Sequence, residues 1–374
     1  MVRGLRDAVS TLRESVAVAR PPRATNAGPA VPGWRPVDGA DVVAWLSRSE
    51  GGRLERAAIE IVRHAPGKRL TARCRLTLVA PDGRRERRTV FAKQYRRTDL
   101  AERLARQLQT LEFGPGDAPV RFPRLLGLDA RRGIVYMEAL DGTPFAPEIA
   151  RGSARALEPA GRLLATFHRG SARVDKRVTR AGELARMREC AEAIARACPA
   201  LAPALERVRV ALARTPWGGT RAVRGSGGAR ALLHGSFRPN HLLRHDGALA
   251  VFDLESLRRG PAAYDLANWI AALDYYEVEG MLTATARRRA ARALVRGYRA
   301  GGGGESCVRV LWFAAALLVQ KQIYKLATRP ASRARASLHR ARAGTLMARA
   351  ERLAVRAAAA PPTAGLDRLE RELA

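Results

Sequence analysis

The sequence predicts an α+β protein of two lobes, a small β-rich lobe followed by a larger helical one. Strand-like segments cluster between residues 58 and 138, and helix-period segments fill most of the chain after Pro144. Strands in one run and helices in the next mean α+β rather than alternating α/β. The length agrees, since 374 residues correspond to about two domains.

The elements follow in order. Val2, Leu5, Val9, Leu12 and Val16 recur every three to four residues, the spacing of an amphipathic helix. Pro21 to Pro36 is a Pro/Ala/Gly linker, and Asp38 to Ser49 a short helix. Ala58 to His64, Leu70 to Val79 and Arg88 to Tyr95 read as strands, the last two joined by the turn Pro81-Asp82-Gly83. Leu100, Leu104, Leu108 and Leu111 predict a helix over 99–112. Two more strands follow at 124–128 and 133–138. Helices are predicted over 154–168, 181–197 and 201–214, with a Gly/Arg loop from Gly218 to Gly228. A hairpin turning at His245-Asp246-Gly247 joins strands at 242–243 and 249–253. Helices resume at Tyr264 and Thr283, break at Gly301 to Gly304, and run on through 308–327 and 331–355. Ala357 to Pro362 reads as a flexible segment before a short amphipathic end.

Charge and cysteine usage narrow the classes. Lys+Arg is 67 against 35 for Asp+Glu, a formal surplus of 32. That excludes an acidic protein and points to an anionic partner or substrate. Only five of the cations are lysines, Lys68, Lys93, Lys176, Lys321 and Lys325, so each stands out. Cys74, Cys190, Cys198 and Cys307 form no C-x-x-C and sit beside no suitably spaced His. The chain therefore reads as reduced and cytoplasmic, without a zinc site or disulfide framework. The first twenty residues are charged and lack an apolar core, unlike a signal peptide. No run of about 18 uncharged apolar residues is present, and Val310 to Gln320 suits a buried helix.

The chemistry is concentrated between Leu233 and Trp269. There His234-Gly235 opens a loop, Pro239 sets its register, Phe252-Asp253-Leu254-Glu255 follows a hairpin, and Asp265-Leu266-Ala267 comes about ten residues later. This order resembles the catalytic core of the aminoglycoside phosphotransferase-like kinases, a branch of the protein-kinase-like fold. Val90-Phe91-Ala92-Lys93, the segment Val135 to Gly142, and Gly161 to His168 extend the resemblance over residues 58–270. It implies a protein-kinase-like two-lobed fold with ATP and Mg²⁺ or Mn²⁺ between the lobes. The expected division is 1–39 as helix and linker, 40–142 as nucleotide-binding lobe and hinge, 143–356 as catalytic and substrate lobe, and 357–374 as tail.

Residue by residue, the resemblance puts Lys93 on the nucleotide phosphates, paired with Glu102 in preference to Glu112. Glu138, Ala139 and Leu140 become the linker at the nucleotide. Asp253 becomes a metal ligand, and Asp265 a support of the catalytic loop through backbone hydrogen bonds. Elementary chemistry agrees: a strand lysine supplies a fixed positive charge, and a carboxylate at a cleft mouth supplies the oxygen a hard cation takes. Pro66-Gly67-Lys68-Arg69 lacks the spacing of a P-loop and reads as a turn over the phosphates or a plain turn.

Two positions depart from the family. The loop aspartate that accepts the substrate proton is Ser236, and the metal-binding asparagine is His241, a replacement that Asn240 does not restore in this register. Serine is no general base near neutral pH, but it can orient a hydroxyl. His241 can bind a metal through nitrogen, which Mn²⁺ tolerates better than Mg²⁺. Glu255, two residues past Asp253, would reach metal or substrate if the strand stays extended, and His234 anchors the loop. The leading expectation is ATP-dependent phosphoryl transfer to the hydroxyl of a small molecule: a sugar, an amino alcohol, a secondary metabolite or an anionic glycolipid. The competitors are a pseudokinase scaffold and a basic binder of nucleic acid or of a membrane surface. Residues 329–356 carry eight Arg and one acid, Glu351, but no aromatic for stacking bases, which argues against nucleic acid.

Overall fold

The computed structural model describes residues 35–49, 53–65, 67–80, 82–114, 120–217, 231–329 and 332–373. The helix expected before residue 20, most of the linker after it and the Gly/Arg loop at 218–228 lie outside the described residues. The architecture is α+β. Five antiparallel strands, β1 (Arg53–Ala65), β2 (Arg69–Val79), β3 (Arg85–Tyr95), β4 (Leu125–Asp129) and β5 (Ile134–Glu138), form one sheet in the order β1-β2-β3-β5-β4. β2 alternates: Leu70, Ala72, Cys74, Leu76 and Leu78 are buried and the residues between them are not. That is the period-two pattern of a half-covered sheet. Helix α1 (Gly39–Ser49) closes the buried face, with Trp45 stacked on Tyr136 at 4.2 Å between ring centroids. Helix α2 (Thr98–Gln109) buries Ala101, Leu104, Ala105 and Leu108 beneath the sheet, facing the second lobe.

The second lobe is helical: α3 (Ala146–Arg151), α4 (Ala154–Arg169), α5 (Arg180–Ala197), α6 (Ala202–Arg214), α7 (Ala263–Val278), α8 (Ala284–Ala300) and α9 (Cys307–Leu317), the last buried along its whole length. Gly161 of α4 lets that helix meet α8 closely, since a Cβ there would fall 2.2 Å from the Leu294 carbonyl. From α9 the helix continues through a π-helical stretch, Leu318–Ile323, into α10 (Tyr324–Thr328). By length and apolarity the helix Cys307–Thr328 could cross a membrane, but 83% of its most apolar window is buried, so here it is the core of the lobe. Helix α11 (Arg333–Ala359) runs past the boundary expected at 356, and α12 (Leu366–Glu372) packs on α8. Ala357, Leu366 and Leu369 are buried, so the end of the chain belongs to the helical core and Ala357 opens no flexible segment.

Small β pieces sit where the lobes meet. β6 (Thr143–Pro144), β8 (Leu242–His245) and β9 (Ala248–Val251) make one sheet, and β7 (Ala231–Leu233) pairs with β10 (Arg258–Gly260). The hairpin is the one expected; β6, β7 and β10 are too short to show in the sequence. They hold 234–241 and 252–257 as two loops side by side at the cleft floor.

Candidate active site

The cleft between the lobes encloses about 1890 Å³. At the end beside β3 and β5 it is lined by Phe91, Met137, Leu140, Leu243 and Phe252, an apolar slot beside the segment that joins the lobes. Lys93 rises from β3, which pairs with β5 through Lys93 and Val135. Its ammonium donates to Asp253 Oδ1 at 3.0 Å and to Glu255 Oε1 at 2.6 Å, joining residues 160 and 162 positions apart. Burial alone would lower the lysine pKa, but the two carboxylates outweigh it and raise it. Burial pushes the Asp253 carboxyl up, and the charge and hydrogen bond of Lys93 more than reverse that, holding it far below the usual carboxylate range. Both groups are therefore charged near neutral pH. Arg69, at the start of β2, clasps the other oxygen of Glu255. The turn before β2 therefore reaches the cleft through Arg69.

Asp253 has φ +64°, in the left-handed region that a non-glycine residue enters at a cost, aspartate less so than most. The chain then turns through a 3₁₀ segment, Leu254–Ser256. The extended geometry expected for Glu255 is therefore wrong. The turn, not strand periodicity, swings Glu255 back onto Lys93.

The loop beside it hangs from Asp265, at the start of α7. This fully buried carboxylate accepts the backbone N–H of His234 at 2.7 Å and of Gly235 at 2.9 Å, and His168 Nε2 lies 3.4 Å from it. Gly235 has φ +79°, and a Cβ there would lie 2.1 Å from the Ser256 carbonyl, so glycine is required for the two loops to touch. His234 is buried, which lowers its pKa and keeps it neutral. Its Nε2 donates to the Phe252 carbonyl at 2.9 Å, leaving Nδ1 as an acceptor 3.4 Å from Ser236 Oγ. The Ser236 hydroxyl can donate there and keep its lone pairs for another hydroxyl.

His241 ends the 3₁₀ turn Pro239–His241. Its Nε2 accepts from Arg238 Nε at 2.9 Å and lies 3.3 Å from Asp253 Oδ2. Burial, then the Arg238 charge, pushes its pKa well down, so the ring is neutral. Asn240 also lines the cleft, and its buried Oδ1 has no partner among the described residues.

Of the expected site residues, Lys93, Asp253, Glu255 and His241 meet in the cleft, and the hydrogen-bonded group of His234, Ser236 and Asp265 joins them through the bond of His234 to the Phe252 carbonyl, next to Asp253. Glu138 and Leu140 line the cleft, with Ala139 between them; Arg124 holds the Glu138 carboxylate at 3.0 Å. Glu102 does not join them. The buried face of α2 is set by Ala101, Leu104, Ala105 and Leu108, which turns Glu102 out to solvent, and Glu255 stands beside Lys93 instead. Arg69 also belongs to the site, from the turn expected over the phosphates or as a plain turn, and so do Arg238 and Lys321, which the motifs did not mark. Lys321 had one signal, its rarity as a lysine.

The donor set suits a divalent ion that takes most of its ligands from water and phosphate oxygens. Asp253 offers ionised oxygens and His241 a neutral imidazole, although Arg238 must release Nε2 first. Glu255, engaged by Lys93 and Arg69, points away from that role. Among the described residues no three His, Cys, Asp or Glu side chains converge as a ready cage.

The sequence model of the phosphotransferase enzyme family matches residues 80–311, more than half of the chain, and the chain belongs to that family. No curated protein matches it. Among solved structures it is similar to a choline kinase from Cryptosporidium parvum, at 11% identity and TM-score 0.54, covering 84% of this chain and 95% of the other. It is also similar to an aminoglycoside phosphotransferase from Alicyclobacillus acidocaldarius, at 16% identity and TM-score 0.50, covering 91% and 97%. An amicoumacin kinase in complex with AMP-PNP, Ca²⁺ and Ami is similar at 12% identity and TM-score 0.50, covering 84% and 94%. These likenesses establish a kinase-like fold. The aminoglycoside phosphotransferase-like family and the two-lobed α+β fold expected from the sequence are therefore correct.

Proposed function

We propose that the protein is a cytoplasmic phosphotransferase that moves the γ-phosphoryl group of ATP to the hydroxyl of a small molecule. The observation that carries the reading is the Lys93–Asp253 pair, which sets one fixed cation and one ionised carboxylate at the cleft floor. Phosphoryl transfer needs little covalent help from a protein; it needs positioning and charge neutralisation. Lys93 would hold the α/β phosphates once they draw its ammonium from Asp253. Asp253, with His241 once Arg238 moves, would hold Mg²⁺ or Mn²⁺, which when bound neutralises phosphate charge. The linker from Glu138 to Leu140 would seat the base against Phe91, Met137 and Phe252.

Ser236 orients the acceptor. Its hydroxyl donates to His234 Nδ1, and its lone pairs accept the acceptor's O–H. The acceptor oxygen forms the new P–O bond as the bond to the leaving ADP oxygen breaks, and the proton follows late to a phosphoryl oxygen. A loose transition state tolerates this order, at the cost of the ~10²–10⁴ in rate that a general base supplies. The expected activity is therefore slow. The test is ATP consumption by the wild type and by Asp253→Ala, in Mg²⁺ and in Mn²⁺, across a panel of alcohols. Turnover that disappears in Asp253→Ala, with Mn²⁺ at least as good as Mg²⁺, supports the reading. Turnover equal to that control throughout leaves a pseudokinase scaffold in its place.

A further inference from the structure

Beyond Ser236 the cleft opens into the helical lobe, and its charge there is one-sided. Arg186, Arg238, Lys321, Lys325, Arg329 and Arg342 line this end, against the carboxylates of Glu189 and Glu279. Arg342 takes Glu279 at 2.8 Å. Among the described residues none of the other five cations has a carboxylate within ion-pair distance. By contrast, Arg287 and Arg349 share Asp274 and Glu277.

Three of the unpaired cations form a ladder. The π-helical stretch turns Lys321 toward the catalytic loop, where its ammonium contacts the Gly235 carbonyl at 3.4 Å and Asn268 Oδ1. Burial first, and then Arg258, Arg238 and Arg186, push its pKa down to about 7. Lys325 stands one turn further out, donating to the Tyr275 hydroxyl at 3.2 Å. Arg329 follows at the end of the same helix. Four-residue steps on a helix are about 6 Å each. A charge held by Lys325 or Arg329 would thus lie about 6–12 Å from the reacting hydroxyl at Ser236.

We propose that the acceptor is an alcohol that itself carries an anionic group, a sugar or polyol phosphate, and that Lys325 and Arg329 grip the phosphate while its free hydroxyl faces Ser236. Guanidinium and ammonium donors suit phosphate oxygens, and the span fits one sugar ring plus its phosphate. A cationic alcohol such as choline would meet repulsion. The proposal rests on the phosphotransferase reading for the word acceptor, but the anion site can be tested by itself.

The test is calorimetric titration with inorganic phosphate, glucose 6-phosphate, glucose and phosphatidylinositol vesicles. It is run on the full chain and on the Lys93→Ala variant, which lacks the nucleotide-phosphate cation. Each titration is repeated with AMP-PNP present. Phosphate or glucose 6-phosphate is expected to bind at least tenfold more tightly than glucose, and Lys325→Ala/Arg329→Ala to weaken it at least tenfold while AMP-PNP affinity holds. Binding to the vesicles alone, with the same loss in the double variant, identifies the phosphate as a lipid headgroup's. No preference for any of these phosphates over glucose, or affinity unchanged in the double variant, overturns the proposal. Loss of AMP-PNP binding alone would count against the phosphotransferase reading and leave the anion site standing.

Discussion

The two ends of the cleft handle charge in opposite ways. At the end beside β3, Lys93 and Arg69 are matched by Asp253 and Glu255 in a closed network. At the other end, Lys321, Lys325, Arg329, Arg238 and Arg186 line the pocket, and among the described residues none of them has a carboxylate within ion-pair distance. A closed network holds its residues in place before any ligand arrives, and a triphosphate must compete with the carboxylates for the lysine. An open cluster raises the free energy of the empty protein and releases it when an anion binds. The difference teaches that one cleft can be pre-organised at one end and ligand-dependent at the other.

The comparison can be broken at several points. The largest effect is expected at the support shared by both ends. Asp265→Ala would strand the buried N–H groups of His234 and Gly235, and each orphan costs about 1–3 kcal/mol, so urea unfolding should show a loss of about 2–6 kcal/mol. A loss under about 1 kcal/mol would mean that the loop is held by something else.

Next comes the closed network. Lys93→Met leaves Asp253 without its cation, a change that costs about 3 kcal/mol for a pair this far from water, softened because Glu255 keeps Arg69. The pH dependence has a definite sign. Asp253 has a depressed folded pKa, so its contribution is present above the unfolded value of about 4 and is lost as pH falls below it. The gap between wild type and Lys93→Met in chemical unfolding should therefore shrink below about pH 4. A gap that widens on acidification would contradict the assignment.

The open cluster should respond more weakly. Lys321→Met removes an amine that has no carboxylate within ion-pair distance among the described residues, so the stability change at pH 7 should stay within about 1 kcal/mol despite the lost bond to Asn268. Because the folded pKa is lowered toward 7, the unfolded chain binds the extra proton between there and about 10.4. Wild-type stability, relative to the variant, should then rise with pH across that window. A flat difference would show that Lys321 is not crowded by its neighbours. The smallest effect belongs to Glu102→Gln. An exposed change of this kind stays within about 0.5 kcal/mol, and AMP-PNP affinity should not move.

Much of this arrangement was legible in the sequence because its parts are local. The hairpin turn, Asp253 after its apolar strand, and Asp265 twelve residues on all lie within one short run, and the backbone alone brings them near one another. Lys93 was legible because an apolar strand approaches it. The role of Glu255 was legible only in part: its place beside Asp253 is local, but a 3₁₀ turn aims it at Lys93. Glu102 misled because helix α2 has two faces, and the leucine stripe that marks the helix also turns Glu102 outward. The basic pocket was illegible in principle, since Arg186, Arg238 and Lys321 come from three distant segments. Only the fold makes them neighbours. The spacing of Lys321, Lys325 and Arg329 is in the sequence, but nothing in it says that this side of the helix faces the cleft.

The central claim is that Lys93 and Asp253 form the site of a metal-bound nucleoside triphosphate. Calorimetric titration of AMP-PNP into wild type, Lys93→Ala and Asp253→Asn, each in Mg²⁺, Mn²⁺ and chelator, tests it most directly. The account predicts metal-dependent binding to the wild type, at least tenfold weaker binding to Lys93→Ala, and loss of the metal dependence in Asp253→Asn. No binding to the wild type with any metal, or equal affinity in all three proteins, would contradict it.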